Sequence, residues 1–371
     1  MHRFTGWFVA IAFLALDVSS QISAQDGYVP LFNGKDLSGW VNVNCGPKTF
    51  AVKGDEIVTT GTPTGFLSTE KQYENFIMEV EWMHVEKTKM ANSGIFVWGD
   101  PLPAIGSQYT RGIEVQVLLN YKPADGWATS QGDIFSIWGA KCIPDRPHPK
   151  GLERCLPSED RTKGAGEWNH YKIIAQDGVI KLHVNGKEVS GVRECNPRKG
   201  YLALESEGVE CHFRNIKIKE MPSTNPTKEQ TATLAIGHKS LFDGQTMHGW
   251  TGENEGWTAG GSLRSNGKGD LVLDRKVTSG ELIFDWKVPA KSKSDLAVQL
   301  GTNHKYTYKS PGTESAGKWT RVTMAFGKDG VSQSVNGQLA FKSGHVPDEG
   351  PITFKAAEGL ELMNLFYLPT K

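Results

Sequence analysis

Two polar side chains stand close together on a stretch whose pattern predicts a β-strand. In Gly-Ile-Glu-Val-Gln-Val-Leu, which begins at Gly112, apolar residues alternate with Glu114 and Gln116. Strict alternation predicts a half-buried strand with its apolar residues towards a core. A carboxylate and a carboxamide side by side on the other face can hold and polarise a polar ligand, such as a sugar ring. The alternative is an ordinary polar surface.

A second pair of carboxylates lies on another predicted strand. In the stretch 201–207, Glu205 and Glu207 share one face, and Leu202 and Leu204 share the other. Acid–base chemistry needs a proton acceptor and a proton donor at one centre, so this pair can supply the second carboxylate of a site. The alternative is a solvated strand face near a sheet edge.

Several other side chains are candidates for binding. The amide of Asn92 can donate to a ligand oxygen, and the rings of Trp98, Trp127 and Trp138 can pack on the apolar face of a pyranose. His148 lies in a Pro-rich loop and can act as an acid or base. The alternatives are a turn residue for Asn92 and packing beneath the long loop for the three tryptophans.

The chain contains an internal repeat. Leu-Phe-Asn-Gly-Lys-Asp-Leu-Ser-Gly-Trp at 31–40 returns as Leu-Phe-Asp-Gly-Gln-Thr-Met-His-Gly-Trp at 241–250, and Val-Asn-Gly at 184–186 returns at 335–337. The chain is therefore two copies of one module. The Asn-Gly pairs predict hairpin turns, because such turns require positive φ at both central positions.

The second copy is shorter than the first. The offset between matching motifs is 210 at the start of the copies, 204 at Trp82 and Trp286, and 151 near their ends, so roughly 50 residues are missing after Trp286. The missing part corresponds to about 105–160 and includes the strand with Glu114 and Gln116. Residues found in both copies are best explained by folding, and residues found only in the first are candidates for function.

These patterns predict an all-β protein. Both copies consist of many short strands with Gly-containing turns and show no long stretch of helical periodicity. We expect two jelly-roll β-sandwich domains in tandem, the second shorter and degenerate. The expected domains are 25–220 and 237–371, and the segment 221–236, rich in Thr, Pro and Lys, is expected to be a linker.

The first residues predict an exported protein, and the charge balance argues against some classes of partner. Residues 1–24 combine a basic start with an apolar run too short to span a bilayer, which predicts a cleaved signal peptide and a periplasmic or secreted location. Lys plus Arg and Asp plus Glu each number 41, so no electrostatic attraction to nucleic acid or to an anionic membrane is expected.

All five cysteines lie in the first copy. Cys142 and Cys155 flank the Pro-rich loop, and we predict a disulfide between them that holds the loop carrying His148. Cys195 and Cys211 flank a predicted strand and are a second candidate pair, with Cys45 left over. Spacing alone does not determine the connectivity. A zinc site is the weaker interpretation, because no Cys-x-x-Cys or His-x-x-x-His spacing is present.

Several motifs together resemble a known family. They are the opening Leu-Phe-Asn-Gly motif, Asn-Ser-Gly-Ile-Phe at 92–96, Glu-Val-Gln at 114–116, Glu-Trp-Asn at 167–169 and Phe-Arg-Asn-Ile at 213–216. In order and kind they resemble the 3-keto-disaccharide hydrolase domain, also described as 3-keto-glucoside 1,2-lyase/3-keto-2-hydroxy-glucal hydratase. The resemblance implies a concanavalin-like jelly roll with a site on the concave sheet. The chain departs from the family pattern at Glu205 and Glu207, where Gln and His are common.

The resemblance also implies a chemistry. A ketone at C3 of a glucoside acidifies the C2 proton, so a base can form an enolate that expels the C1 oxygen, and water then adds to the enone. Glu114, beside Gln116, is expected to be the base or a metal ligand, and Lys141 is expected to stabilise the enolate. A divalent cation such as Ca²⁺ is compatible with the oxygen ligands, although no contiguous metal-binding loop is visible. The second copy, lacking this strand, is expected to have no active site.

Two other functions remain open from the sequence. Jelly rolls also serve as non-catalytic glycan-binding proteins, since a fold does not determine a function. Two carboxylates across a glycosidic bond also suit a conventional glycosidase. All three interpretations share a carbohydrate partner.

Overall fold

The described residues form β-strands joined by turns and loops. The computed structural model describes residues 27–120, 130–234, 237–252, 256–289, 294–309 and 317–370. Within these ranges the structure has 29 strands and a short 3₁₀ turn at Lys228–Gln230. No helix in these ranges is long and apolar enough to cross a membrane. The predicted signal peptide, 1–24, lies outside the described residues.

The strands fall into two groups along the chain. The first group is β1 (Val29–Pro30), β2 (Trp40–Val43), β3 (Phe50–Lys53), β4 (Glu56–Thr59), β5 (Gly65–Tyr73), β6 (Phe76–His84), β7 (Ala91–Gly99), β8 (Gly112–Leu119), β9 (Ile134–Ile137), β10 (Lys141–Pro144), β11 (Arg154–Cys155), β12 (Asn169–Gln176), β13 (Val179–Val184), β14 (Lys187–Asn196), β15 (Gly200–Ser206) and β16 (Cys211–Glu220). The second group is β17 (Lys239–Ser240), β18 (Trp250–Thr251), β19 (Trp257–Gly260), β20 (Ser262–Asn266), β21 (Leu271–Leu273), β22 (Gly280–Lys287), β23 (Leu296–Leu300), β24 (His304–Tyr308), β25 (Thr320–Gly327), β26 (Gly330–Val335), β27 (Gln338–Ser343), β28 (Ile352–Phe354) and β29 (Glu358–Pro369).

The first group forms a sandwich of two sheets. The nine-stranded sheet runs β10-β14-β13-β12-β6-β16-β4-β3, with β1 beside β16, and the seven-stranded sheet runs β11-β9-β8-β7-β15-β5-β2. Between them lies one hydrophobic core. Strand β6 shows why the sequence folds this way, because its residues alternate between buried and half-buried along its whole length. Trp82 of this strand is fully buried and meets Tyr171 edge to face at 5.3 Å.

The second group forms a smaller sandwich of the same design. Its sheets have eight and five strands, in the orders β19-β20-β29-β22-β25-β26-β27, with β17 beside β29, and β18-β21-β28-β23-β24. Trp286 of β22 is buried as Trp82 is, and Asn185 and Asn336 both have φ of 47° in their hairpin turns. Strand β24 lies beside β23 as β8 lies beside β7, so the prediction that the second copy lacks a counterpart of the Glu114 and Gln116 strand is wrong. In the described residues its sheet lacks counterparts of β9 and β11 instead, which extend this edge in the first domain. The prediction of two tandem β-sandwiches, the second shorter, is confirmed.

The two sandwiches pack against each other through the outer face of the seven-stranded sheet. A separate hydrophobic cluster joins them, with members Val43, Phe66, Phe96, Ala203, Ile283 and Phe366. The first four belong to the first domain, and Ile283 and Phe366 belong to β22 and β29 of the second. The second domain therefore covers part of a sheet face that would otherwise be open to solvent.

The cysteine pairings predicted from the sequence are not formed. All five cysteines are buried, free thiols. Cys195 and Cys211 lie on β14 and β16, which are separated by three strands. At about 4.8 Å per strand their Cα atoms are roughly 19 Å apart, far beyond the about 7 Å that a disulfide spans. Cys142 and Cys155 are unbridged, and the Cys142 thiol donates to the Glu153 carbonyl at 4.0 Å.

Replacing Trp82 tests whether the first sandwich depends on this core. We expect Trp82→Ala to lower the free energy of unfolding of the first domain by about 3–5 kcal/mol, because the substitution leaves a large cavity between the sheets. Guanidinium unfolding followed by circular dichroism measures the free energy of unfolding. The control is Trp168→Ala, at a half-exposed tryptophan of the same domain. A loss for Trp82→Ala no larger than that for Trp168→Ala would contradict the assignment.

Candidate functional site

Five of the predicted residues meet on one sheet face. Asn92 lies on β7, Glu114 and Gln116 on β8, Glu205 on β15, and Glu207 directly after β15. Strands β8, β7 and β15 are neighbours in the seven-stranded sheet, and Asn92 forms an isolated bridge with Glu207. We call the side of the sheet that carries these five residues the site face. It is the same side that packs, further along, against the second domain.

A chain of hydrogen bonds crosses the site face. The Gln116 side-chain amide donates to Asn92 Oδ1, and the Asn92 amide donates to Glu207 Oε2. The hydroxyl of Tyr109 donates to the other Glu207 oxygen at 2.8 Å. Both oxygens of Glu207 are therefore held by donors, which fixes its carboxylate in the half-buried position it occupies.

A glycine makes room for the other two carboxylates. A Cβ atom on Gly94 would lie 2.8 Å from Glu114 Oε1 and 2.9 Å from Glu205 Oε2. Real Cβ atoms do not approach other atoms so closely, so a side chain at this position would displace both carboxyl groups. The same distances place the two oxygens within about 6 Å of each other.

Glu114 and Glu205 are buried acids with little positive charge nearby. Glu114 is 6% exposed and Glu205 is 1% exposed. Burial raises the pKa of Glu114 well above its ordinary value, and the charges of Glu207 and Asp133 raise it further, whereas Arg154 opposes the shift. Burial likewise raises the pKa of Glu205, followed by the charges of Glu114 and Glu207.

The two buried acids differ in the hydrogen-bond donors and cations around them. Neither carboxyl oxygen of Glu205 accepts a hydrogen bond from a donor in the described part of the chain. Glu114 has the benefit of Arg154, whose guanidinium is itself bound to Asp133 at 2.7 Å. We infer that the pair shares a proton and that Glu114 ionises more readily than Glu205, because only the rise in the pKa of Glu114 is opposed by a nearby cation.

Two aromatic rings form the rim of the site. Tyr109 and Trp138 are stacked with ring centroids 6.5 Å apart and planes 16° from parallel. Trp138 is 51% exposed and has a positive φ of 50°, so its ring stands out beside the carboxylates. Burial, followed by the charge of Glu207, raises the pKa of Tyr109, which therefore remains a hydroxyl donor. An open aromatic face next to acidic groups suits the apolar face of a sugar ring.

Tyr109 was not predicted from the sequence. It lies in the loop between β7 and β8, where no periodicity indicates which side chains turn inwards. The only available signal was its position, because this loop falls in the segment that the second copy lacks.

The prediction that Trp98 contacts a substrate is wrong. Trp98 is fully buried in the first core, where its indole N–H donates to the Glu74 carbonyl at 2.8 Å. Its φ of 56° breaks the alternation of β7, and its side chain therefore joins that of Val97 in the core. A buried ring in this position cannot reach a ligand on the site face.

Three other predicted residues are not brought to the carboxylates by any described contact. Lys141 is exposed on β10, the edge strand of the opposite sheet. His148 is buried in the loop after β10, where its Nδ1 accepts a hydrogen bond from the Lys150 backbone N–H at 3.0 Å, which ties the ring to its own loop. Trp127 lies outside the described residues.

The described residues contain no group of three or more His, Cys, Asp or Glu side chains arranged to hold a metal ion. The free carboxyl oxygens of Glu205 are compatible with a proton as well as with a cation. The divalent cation therefore stays a prediction.

A cavity of about 540 Å³ lies elsewhere, on the outer face of the nine-stranded sheet. Two of its carboxylates are already paired, Glu79 with Lys217 at 3.0 Å and Glu81 with Arg214 at 2.6 Å. Glu79 also accepts a hydrogen bond from the Tyr28 hydroxyl at 2.9 Å. Paired surface carboxylates are poor proton acceptors, so the site face is the better candidate for acid–base chemistry.

Comparison with known proteins defines the family. The sequence model of the 3-keto-alpha-glucoside-1,2-lyase-like domain matches residues 27–219 and 237–314. Because these matches span more than half of the chain, the protein belongs to this family. Both copies of the repeat are matched, which agrees with the duplicated sandwich. The family makes it a carbohydrate-active, glycosyl hydrolase-like protein.

Individual relatives are distant. A 3-keto-disaccharide hydrolase of Bacteroides thetaiotaomicron is 22% identical over 242 residues, which cover 52% of this chain and 78% of that protein. A Parabacteroides distasonis crystal structure, provisionally assigned as a glycosyl hydrolase, is 23% identical, covers 53% of this chain and 94% of its own, and has a TM-score of 0.41. A carbohydrate-binding module from Bacillus subtilis is 14% identical, covers 49% and 96%, and has a TM-score of 0.34.

The buried acids predict an unusual dependence of stability on pH. Unfolded Glu has a pKa of about 4.3, and a native pKa above this value means that the folded state binds more protons. Stability must then fall as pH rises from the unfolded pKa towards the native one. We expect Glu205→Gln, which mimics the protonated form, to be more stable than the parent at about pH 8 and equally stable at about pH 4.

Guanidinium unfolding at both pH values measures this difference, which amounts to about 1.4 kcal/mol for each pKa unit of the native shift. The control is Glu220→Gln, on an exposed carboxylate that pairs with Lys71. An advantage of Glu205→Gln that does not grow with pH would refute the shared proton.

Proposed function

We propose that the first domain is a 3-keto-glycoside lyase/hydratase, which hydrolyses 3-keto-glucosides in two steps, elimination and rehydration. The observation that carries this proposal is the buried pair Glu114 and Glu205, whose pKa values are both raised by burial. Abstraction of a carbon-bound proton needs a strong base that still ionises near neutral pH, and a carboxylate in such an environment meets this need. Family membership supports the same reaction class.

The proposed reaction begins at C2 of the sugar. The base removes the C2 proton, and the electron pair forms an enolate with the C3 ketone. The enolate then expels the oxygen at C1, which takes up a proton and leaves as the free alcohol. Water adds to C1 of the resulting enone, and C2 regains a proton. The net change is the addition of one water molecule across the glycosidic bond.

Each side chain of the site face has a role in this proposal. Glu114 is the base, because it is the more acidic partner of the buried pair. Glu205 does not touch the sugar, since its oxygens have no contact with solvent, and it holds the proton that keeps the pair singly charged. Tyr109, Asn92 and Gln116 present hydroxyl and amide groups that can donate to substrate oxygens when charge develops there.

The two-carboxylate glycosidase is the second candidate function. The oxygens of Glu114 and Glu205 lie within about 6 Å of each other, and retaining glycosidases have carboxyl groups about 5–5.5 Å apart. Against it, the oxygens of Glu205 are out of solvent contact and cannot reach an anomeric carbon as they stand. A glycan-binding protein without catalysis would use the same aromatic rim but would have no need for buried acids.

Substrate choice separates the three functions. A lyase/hydratase should convert a 3-keto-glucoside and leave the unoxidised glucoside intact, because only the ketone acidifies C2. A glycosidase should hydrolyse the unoxidised glucoside, and a binding protein should convert neither. Product analysis by ¹H NMR on the full chain distinguishes these outcomes.

The base is tested by Glu114→Gln, which keeps the shape and removes the basicity. We expect kcat on a 3-keto-glucoside to fall at least about 10³-fold, in line with loss of a general base, while the fold is retained. Steady-state kinetics and circular dichroism measure the two quantities.

The matched control is Glu79→Gln, on a half-buried carboxylate of the opposite sheet, which should retain its activity. Full activity of Glu114→Gln, or equal losses in both variants, would remove Glu114 from the reaction.

A further inference from the structure

The loop that carries Tyr109 is built as a compact turn. We call residues 100–111, between β7 and β8, the tyrosine loop. Within it the Ala104 N–H donates to the Tyr109 carbonyl at 2.8 Å, and the Tyr109 N–H donates to Ser107 Oγ at 3.0 Å. Pro103 forms a bridge with Thr110. The position of the Tyr109 ring therefore depends on the position of the whole loop.

Three polar residues of the second domain form a buried cluster that faces this loop. Asp285 is fully buried on β22. The Arg321 guanidinium holds its two oxygens at 2.7 and 2.9 Å, and the Asn364 amide donates to the second of them at 2.7 Å. We call these three residues the clamp. A bidentate arginine–carboxylate pair with a further amide donor is a rigid arrangement.

The clamp binds the backbone of the tyrosine loop rather than its side chains. The Gly106 N–H donates to Asp285 Oδ2 at 2.8 Å, and Arg321 Nη2 donates to the Pro103 carbonyl at 2.8 Å. The Asn364 amide also lies 2.9 Å from the Ser107 carbonyl. Three backbone groups of the loop, at Pro103, Gly106 and Ser107, are thus held by one cluster on the other domain.

Direct packing reinforces these hydrogen bonds at Gly106. This residue has a φ of +68°, and a Cβ atom on it would lie 2.2 Å from Trp319 Cδ1. The indole of Trp319 therefore rests against the bare backbone of the loop. Only glycine satisfies both the left-handed conformation and this close approach.

The first domain has an equivalent group that does not bind a loop. In each domain an acidic residue on the central strand, Glu81 or Asp285, pairs with the residue just before an Asn of positive φ. These asparagines are Asn215, with φ 51°, and Asn364, with φ 52°. Asn215 is exposed and donates to Glu81 at 3.0 Å, whereas Asn364 is 1% exposed. The two copies thus share this arrangement of an acidic residue and an Asn of positive φ, and in the second copy the Asn side chain binds the tyrosine loop of the first domain.

We propose that the second domain is a positioning element for the active site, acting through the clamp on the tyrosine loop. The clamp holds the Tyr109 hydroxyl on Glu207 and the Tyr109 ring against Trp138. The second domain thus contributes to turnover without a residue that touches the substrate. This inference rests on the proposed function for its kinetic part, whereas its structural part does not depend on any substrate.

The structural part is tested by hydrogen–deuterium exchange on the full chain. The test variant is Asn364→Gly, which removes the amide and tolerates the positive φ. The matched control is Asn215→Gly, at the equivalent position of the first domain. We expect the amides of the tyrosine loop to exchange at least about tenfold faster in Asn364→Gly and to be unchanged in the control. Unchanged exchange in Asn364→Gly would overturn the clamp.

The kinetic part is tested by a double-mutant cycle with Tyr109→Phe on a 3-keto-glucoside. If the clamp acts through Tyr109, Asn364→Gly lowers kcat/KM in the parent and causes no further loss in the Tyr109→Phe background. Independent, additive losses would mean that Asn364 matters only for folding, and the positioning role would be refuted.

A second variant keeps the test decisive if Asn364→Gly does not fold. Arg321→Lys keeps the charge but loses the fork that spans Asp285 and the Pro103 carbonyl, and Arg264→Lys on an exposed arginine of the same domain is its control. If the parent protein converts no 3-keto-glucoside, the proposed function fails, while the exchange measurement still decides whether the clamp holds the loop.

Discussion

The site depends on the burial of carboxyl groups around Gly94 with little compensating positive charge. Glu114 and Glu205 both have oxygens less than 3 Å from the point where a Gly94 side chain would begin. Removing acids from water is costly unless they keep a proton or gain a partner. The described partners are few, since Arg154 is shared with Asp133 and no donor reaches the oxygens of Glu205. Burial of this pair therefore favours the retention of a proton, at the expense of stability.

The second domain helps to create this environment. Ile283 and Phe366 cover the same sheet face that carries the carboxylates, and the clamp fixes the loop at its rim. In the described residues the second sandwich lacks strands equivalent to β9 and β11. The outer face of its eight-stranded sheet packs against the first domain. The second sandwich thus supports the candidate site that lies on the first.

Much of the site could be predicted from the sequence because it lies on regular strands. The alternation of apolar and polar residues placed Glu114 and Gln116 on one strand face, and Glu205 and Glu207 on another. The repeat separated residues found only in the first copy, which were candidates for function, from residues that both copies need for folding. What alternation cannot show is which strands are neighbours, and the proposed pairing of Cys195 with Cys211 failed for that reason.

Departures from regular backbone explain the other errors. A positive φ at Trp98 turned its ring into the core, and a similar φ at Trp138 turned another ring outwards. Tyr109 was missed because its place is set by contacts with the other domain, between residues more than 170 positions apart. Trp168 and Trp319, which match between the copies, are half-buried and do not belong to the two cores. Each of the two rings contacts a cationic side chain, Arg214 over Trp168 and Lys287 over Trp319.

The proposed mechanism requires that the protein remove the proton at C2 of a 3-keto-glucoside. The direct measurement is ¹H NMR of the substrate and product after turnover in D₂O. Elimination and rehydration require the product 3-keto-glucose to carry deuterium at C2, with no such exchange in the Glu114→Gln variant. Release of a product that fully retains its C2 proton would show direct hydrolysis of the glycosidic bond and would contradict the mechanism.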